Sequence, residues 1–323
     1  MMASMANIVI LDGYSLNPGD LNWEPIEVQG NVTIYDRTPQ NLIVERCKDA
    51  EIVLTNKVPF SAETMDMLPR LRFIAVLATG YNIIDTKAAR ERGIVVSNIP
   101  SYSTPSVVQS TFSLLLAITN SVEHYTNQIV EEGRWTKCPD FCYWDTCLTE
   151  LAGKRMAVYG MGSIGQRVAQ VAMGFGMKVL TVSQKAASEL PPGVEIVGED
   201  EFWQTADVVT LHCPLTPETK SLINAGRIST MKDGVIILNT SRGPVVDEQA
   251  IADALKSGKI RAFGTDVLTH EPASEDNPLL KAPHVFITPH IAWATFEART
   301  RLMKILADNV RGYINGKPVN VVN

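Results

Sequence analysis

The chain has 323 residues and a formal net charge of −6, with 45% apolar and 20% charged residues. That length suits two domains of ordinary size, each able to bury its own core. The acidic balance argues against a nucleic-acid footprint, and no apolar run reaches membrane-spanning length, the best being Phe112 to Ile118.

Met1 to Met5 read as a start region, with no basic segment and apolar core of the kind a secretory signal needs. Among the five cysteines, Cys138, Cys142 and Cys147 cluster, but without the C-x-x-C spacing of a zinc site. Reduced structural thiols and a cytosolic location are expected, with no bound metal.

Short apolar stretches and helical periodicity alternate over residues 7 to 99. Asn7 to Leu11, Val32 to Tyr35, Ile52 to Leu54, Phe73 to Leu77 and Ile94 to Ser97 read as strands. Gln40 to Lys48, Ala62 to Met67 and Asp85 to Arg92 read as helices. Such alternation implies a parallel sheet, so the first third is a small α/β domain. Thr104 is the expected N-cap of the next helix, with Pro105 at its first position. Val107 to Ile118 is apolar almost all round, which predicts a helix buried between layers. The polar stretch from Glu131 to Cys147 reads as an irregular connection anchored by Trp135 and Trp144.

Arg155 to Gly165 is the stretch around which the rest is organised. It reads as a buried strand, a glycine turn and a helix start, with Gly160, Gly162 and Gly165 in the spacing G-x-G-x-x-G. Chance places three such glycines in about one chain of this length in ten, so context must decide. Val168, Val171, Ala172 and Phe175 line one face of a following helix that ends near Gly176, and Lys178 to Val182 is a second strand. That βαβ unit is what a dinucleotide-binding motif requires. Gly160 makes the tight turn, Gly162 admits a pyrophosphate, and Gly165 lets helix and strand pack closely. Ser163, Ile164 and Gly165 then offer helix N-terminal N–H groups to the phosphates.

Further strands are expected at Asp207 to Leu211, Val235 to Asn239, Arg261 to Thr265 and Val285 to Ile287, with a helix at Glu248 to Lys256. The amphipathic Thr295 to Ile314 helix ends near Gly316 and Pro318 and has no strand partner of its own. It is expected to return to the first domain.

Ligands of open parallel sheets bind at the carboxyl ends of strands. Arg242, Asp266, Glu271 and His290 all follow strand ends there. An Arg, a Glu and a His on the edge that carries a nucleotide site form a chemical constellation. His124, His270 and His284 join no such set and read as structural.

Asn239-Thr240-Ser241-Arg242-Gly243-Pro244, Asp266-Val267 with His270-Glu271-Pro272, and Thr288-Pro289-His290-Ile291-Ala292-Trp293 resemble the signature blocks of the D-isomer-specific 2-hydroxyacid dehydrogenases. Leu11-Asp12-Gly13, Leu16-Asn17-Pro18-Gly19-Asp20 and Pro139-Asp140-Phe141-Cys142-Tyr143-Trp144 resemble the glycerate dehydrogenase and hydroxypyruvate reductase branch. The resemblance implies an α/β fold of two Rossmann-like, doubly wound parallel-sheet domains with the active cleft between them. Residues 1–104 and 295–323 would bind the substrate, a small 2-oxo or 2-hydroxy acid. Residues 105–294 would bind NAD or NADP, and subunits would pair as a homodimer through that domain.

The same resemblance implies roles. His290 donates a proton to the developing alkoxide, Glu271 keeps it oriented and charged, and Arg242 holds the substrate carboxylate and polarises its carbonyl. Thr79, Gly80 and Tyr81 grip the same carboxylate through backbone N–H groups. Asp266 holds the nicotinamide amide, while His212, Cys213, Pro214, Thr240 and Ser241 line the cofactor. One position departs from the NAD pattern. Where an acid usually binds the adenosine ribose, this chain has Ser183, followed by Gln184 and Lys185. A dinucleotide-sensing corepressor of the same fold is the second reading.

Overall fold

A computed structural model describes residues 5–323; Met1 to Ala3 and Ser4 of the expected start region lie outside it. The chain divides into two compact units. One comprises the residues up to Ser103 together with Ala294–Asn323, and the other is Thr104–Trp293.

The first unit runs β1 (Ala6–Ile10), α1 (Glu24–Glu27), β2 (Gly30–Ile34), α2 (Ile43–Cys47), β3 (Ile52–Thr55), α3 (Ala62–Asp66), β4 (Phe73–Val76), α4 (Thr86–Glu91) and β5 (Val95–Ser97). Its five strands are parallel in the order β2-β1-β3-β4-β5. Val9, Val53, Ile74 and Val96 point to one face, against Ile43, Met65 and Ala89 of the helices. Strands buried on both faces read as continuous apolar runs, which is why β3 and β4 were legible. The Gln40 to Lys48 stretch opens with a 3-10 turn before α2.

The second unit runs α5 (Thr104–Asn120), α6 (Val122–Val130), β6 (Arg155–Tyr159), α7 (Ser163–Gly174), β7 (Lys178–Thr181), β8 (Val194–Ile196), α8 (Glu199–Thr205), β9 (Val208–Leu211), α9 (Ala225–Thr230), β10 (Val235–Asn239), α10 (Glu248–Lys256), β11 (Ile260–Thr265) and β12 (Val285–Ile287). Its seven strands are parallel in the order β12-β11-β10-β9-β6-β7-β8. Side chains alternate between two cores, as a period of two demands. Ala157, Val209 and Ile237 join one face with Phe202 and Trp203. Met156, Val158, Val208 and Ile236 join the other, under α5 and α7.

The final helix, α11 (Phe296–Ile314), belongs to the first unit and stacks Tyr313 on Phe73 of β4 with ring centroids 4.5 Å apart. Its N-terminus is capped by Thr295, whose side chain accepts the Ala298 N–H. Buried Arg299 forms a bidentate pair with Asp20 at 2.6 Å and also donates to the Leu16 and Ala294 carbonyls. Asn17 folds the intervening loop, accepting the Gly19 and Leu21 N–H groups. The Leu16 to Asp20 motif is thus a structural clasp on α11.

Three local expectations are corrected. Thr104 is the first residue of α5, not its cap, and Pro105 is the second; proline is tolerated anywhere in a first turn because no intrahelical partner needs its N–H. Trp135 and Trp144 do not anchor their segment, being 50% and 70% exposed. A polar hub does so instead. Asp145 accepts from Gln128 and pairs with His124 at 2.7 Å and with Arg134, and these partners hold its carboxyl well below the usual range. The hub uses α6, a helix whose nine residues are none of them buried. The edge strand β8 was likewise invisible, with two of its three residues exposed.

Candidate active site

The glycine turn sits where the larger sheet reverses its order, since β6 lies between β7 and β9. Such switch points are where open α/β sheets bind ligands. Gly160 has φ +99°, and a Cβ there would stand 2.7 Å from the His212 carbonyl carbon. The turn after β6 therefore lies flush against the turn after β9, which carries His212, Cys213 and Pro214. At Gly165 a Cβ would overlap the Gly160 carbonyl oxygen, so only glycine lets α7 settle on β6. Gly162, by contrast, faces open space. It N-caps α7 without a side-chain bond, and the N–H groups of Ser163, Ile164 and Gly165 precede the first intrahelical partner. A space beside free N–H groups and a positive helix end fits a pyrophosphate.

His212 presents its Nε2 to Thr210 Oγ1 at 2.8 Å, while its buried Nδ1 has no partner among the described residues. The residue is partly exposed as a whole, but burial of the ring pushes its pKa down to about 3. It is a neutral imidazole at physiological pH. Burial likewise pushes the Cys213 thiol up to about 11, so it is no thiolate. Beyond β7, Ser183 Oγ accepts the Lys185 N–H at 3.1 Å, and Gln184 and Lys185 are exposed. The nearby Glu189 turns to the Ala186 N–H, capping its own turn.

The candidate acid-base residues come from the ends of β10, β11 and β12. Past β11, Asp266 is buried, and desolvation pushes its carboxyl up while three hydrogen bonds pull it back. Oδ1 accepts from Thr288 Oγ1 at 2.6 Å and from the Ile291 N–H at 2.8 Å, and Oδ2 accepts from the Ala292 N–H at 2.8 Å. These bonds secure the turn at His290, whose φ of +55° is left-handed. That conformation costs a non-glycine residue about 1–2 kcal/mol. The His290 N–H also donates to the Asp266 carbonyl at 2.8 Å. His290 Nδ1 lies 2.6 Å from Glu271 Oε2, and Glu271 Oε1 accepts the Leu268 N–H at 2.9 Å. No partner among the described residues takes His290 Nε2, so that nitrogen is available to a ligand.

Arg242 follows β10 with its side chain exposed, Nη1 donating to the Ser241 carbonyl at 2.7 Å. A Cβ at Gly243 would overlap the backbone of Leu268 and Thr269. The Arg242 turn is thereby pressed onto the loop that carries Glu271. Glu248, at the start of α10, steadies the same loop by accepting from the Thr269 N–H and Asn277 Nδ2. Thr240 is buried with Oγ1 3.2 Å from Thr111 Oγ1 of α5. Sequence reasoning assigned no role to Asn239, Gly243, Glu248 or Thr288. An asparagine closing a buried strand just before a turn was the available signal, because its side chain bonds backbone two residues on.

Thr79, Gly80 and Tyr81 lie beyond β4 in the first unit. Thr79 Oγ1 donates to the Ile99 carbonyl, and no acceptor among the described residues takes the N–H of Gly80 or Tyr81. His124 is committed to the Asp145 hub. Among the described residues, no hydrogen bond joins His270 or His284 to Arg242, Glu271 or His290.

A glycine-turn nucleotide site and a His–Glu pair on one sheet edge are a dehydrogenase's parts. The family described as "D-isomer specific 2-hydroxyacid dehydrogenase, NAD binding domain" matches residues 112–292. The chain belongs to the D-isomer-specific 2-hydroxyacid dehydrogenases. It is 49% identical over 320 residues to a hydroxypyruvate reductase of Blautia hydrogenotrophica, covering 98% of this chain and 99% of that one. A glycerate dehydrogenase of Methylorubrum extorquens is 41% identical over 88% of this chain and 89% of its own. An acyclic imino acid reductase solved with NADPH and D-Arg superposes with a TM-score of 0.83 at 29% identity, covering 98% of this chain and all of that one. The matched residues lie within the second unit.

Proposed function

We propose that this dehydrogenase reduces small 2-oxo acids to D-2-hydroxy acids, hydroxypyruvate to D-glycerate foremost and glyoxylate more weakly. The Glu271–His290 pair carries this reading, because it places an imidazole, held through Nδ1 by a carboxylate, on the edge that holds the glycine turn. The 49% identity to a hydroxypyruvate reductase supports the choice of substrate.

The bound nicotinamide cofactor, NAD or NADP, supplies or takes a hydride at C2 of the acid. The chain's own residues do the rest. His290 gives a proton from Nε2 to the carbonyl oxygen in reduction and retakes it in oxidation. Glu271 fixes the ring through Nδ1. Arg242 offers a planar fork to the substrate carboxylate, and Thr79 with the N–H groups of Gly80 and Tyr81 are proposed as the first unit's own substrate contacts. Asp266 keeps one acceptor position on Oδ2 for the nicotinamide amide, its other positions being taken by the His290 turn. Residues up to 104 and from 295 are proposed as the substrate-binding domain.

The protein is further proposed to act as a cytoplasmic homodimer paired through the cofactor domain. The exposed rings of Trp135, Phe141 and Trp144 in that domain support pairing. No helix among the described residues is long and apolar enough to cross a membrane.

The test is a panel of 2-oxo acids assayed with each reduced cofactor. Turnover of hydroxypyruvate to the D-isomer is expected. Cofactor binding without turnover of any 2-oxo acid would instead fit a dinucleotide-sensing corepressor. Sedimentation analysis reads the dimer directly.

A further inference from the structure

We propose that Asn239 is the positioning residue for Arg242 and so sets how well the enzyme holds the substrate carboxylate. The inference rests on reading Arg242 as the carboxylate clamp. Asn239 is the last residue of β10 and is fully buried. Its Nδ2 donates to the Arg242 carbonyl at 2.9 Å. Its Oδ1 accepts the Ser241 N–H at 3.0 Å and the Ser241 hydroxyl at 2.8 Å. One carboxamide thus spans the whole turn that launches Arg242, with its donor end and its acceptor end in use.

The backbone of Asn239 ties that turn to the other half of the site. Its carbonyl accepts the Asp266 N–H at 3.0 Å and the Thr265 hydroxyl at 3.1 Å. Asp266 in turn secures the His290 turn. Asn239 therefore fixes the base of Arg242 relative to the strand that leads to the proton donor. The arginine side chain is exposed, and its hydrogen bond to the Ser241 carbonyl depends on the shape of the same turn. A guanidinium that must meet a planar carboxylate with two parallel bonds tolerates little drift at its root.

Aspartate would not serve in place of asparagine. It keeps the volume but turns an oxygen toward the Arg242 carbonyl, exchanging a hydrogen bond for repulsion between acceptors. Only a protonated carboxyl could donate as the amide does, and burial favours that neutral form as pH falls.

The experiment compares Asn239→Asp, Asn239→Ala and Arg242→Ala with wild type, using hydroxypyruvate at saturating reduced cofactor. Cofactor Kd is read from tryptophan fluorescence. In both Asn239 variants, KM should rise about tenfold or more, with kcat within about threefold and cofactor Kd unchanged, because binding shared by ground and transition states appears in KM. The KM of Asn239→Asp should fall back toward the wild-type value at low pH, which loss of a merely structural bond would not produce. Arg242→Ala raising KM while both Asn239 variants leave it unchanged would overturn this inference alone. Arg242→Ala leaving KM unchanged would remove the reading of Arg242 itself. A fall in kcat together with weakened cofactor binding in Asn239→Ala would mark a general structural role and also overturn the inference.

Discussion

His290 Nδ1 stands 2.6 Å from Glu271 Oε2, and the other oxygen of that carboxylate is fixed by the Leu268 N–H. The imidazole is therefore oriented by a group that is itself anchored to backbone. Glu271→Gln keeps the shape and one hydrogen bond but removes the carboxylate that pairs with the ring. Because one imidazole serves both directions, kcat should fall by about tenfold or more in reduction and in oxidation alike, with cofactor Kd unchanged. Measuring both directions, with a deuterated cofactor to confirm that hydride transfer limits the rate, checks this. A near-wild-type kcat in both directions would dissolve the dyad.

Arg242→Lys keeps the positive charge but loses the planar fork. The expected cost is about 2–4 kcal/mol of transition-state stabilisation, read as a fall in kcat/KM for hydroxypyruvate. A near-normal kcat/KM for the lysine variant would show that the substrate carboxylate is held elsewhere.

The end of β7 should tolerate a cofactor 2′-phosphate. Ser183 and Gln184 can donate hydrogen bonds, Lys185 brings a charge, and Glu189 is turned away to the Ala186 N–H. Ser183→Asp should shift preference toward NADH by adding a charge that repels the phosphate. Competition of the two cofactors in kcat/KM decides the matter; a wild type about a hundredfold better with NADH would contradict it.

Buried His212 gives the fold an acid sensitivity. In the unfolded chain it takes up a proton below about pH 6.5, whereas in the folded protein it does so only near pH 3. Its folded pKa is depressed for a base, so the unfolded state binds the extra proton throughout that window, and stability falls as pH drops through it. The slope from this residue is about 1.4 kcal/mol per pH unit. Urea unfolding of wild type and His212→Asn across pH 7 to 4 should show a shallower decline in the variant. Parallel curves would mean that His212 is protonated in the fold.

The architecture was legible because both sheets are parallel and buried on both faces. Runs such as Phe73–Val76 and Val235–Asn239 are apolar almost throughout and too short for helices, and glycine spacing marks the turn after Tyr159. Arg242, Glu271 and His290 were legible as candidates because they follow strand ends on one sheet edge, whatever their separation along the chain. What sequence alone determined, then, was every strand but the exposed edge strand β8, where the glycine turn lies, and which Arg, Glu and His follow strand ends on one sheet edge. Tertiary structure alone decided how those side chains are held. Trp135 and Trp144, large enough to suggest anchors, stay exposed, because Asp145 gathers charges from α6 and the following loop. Asp266 turned out to clasp the His290 turn, Asn239 the root of Arg242, and Gly243 to admit the loop that carries Glu271. The physical reason is common to all of these. Apolar burial repeats with the period of its element and can be read along the chain, whereas a hydrogen-bond partner or a close backbone approach is set by residues that only folding brings within reach.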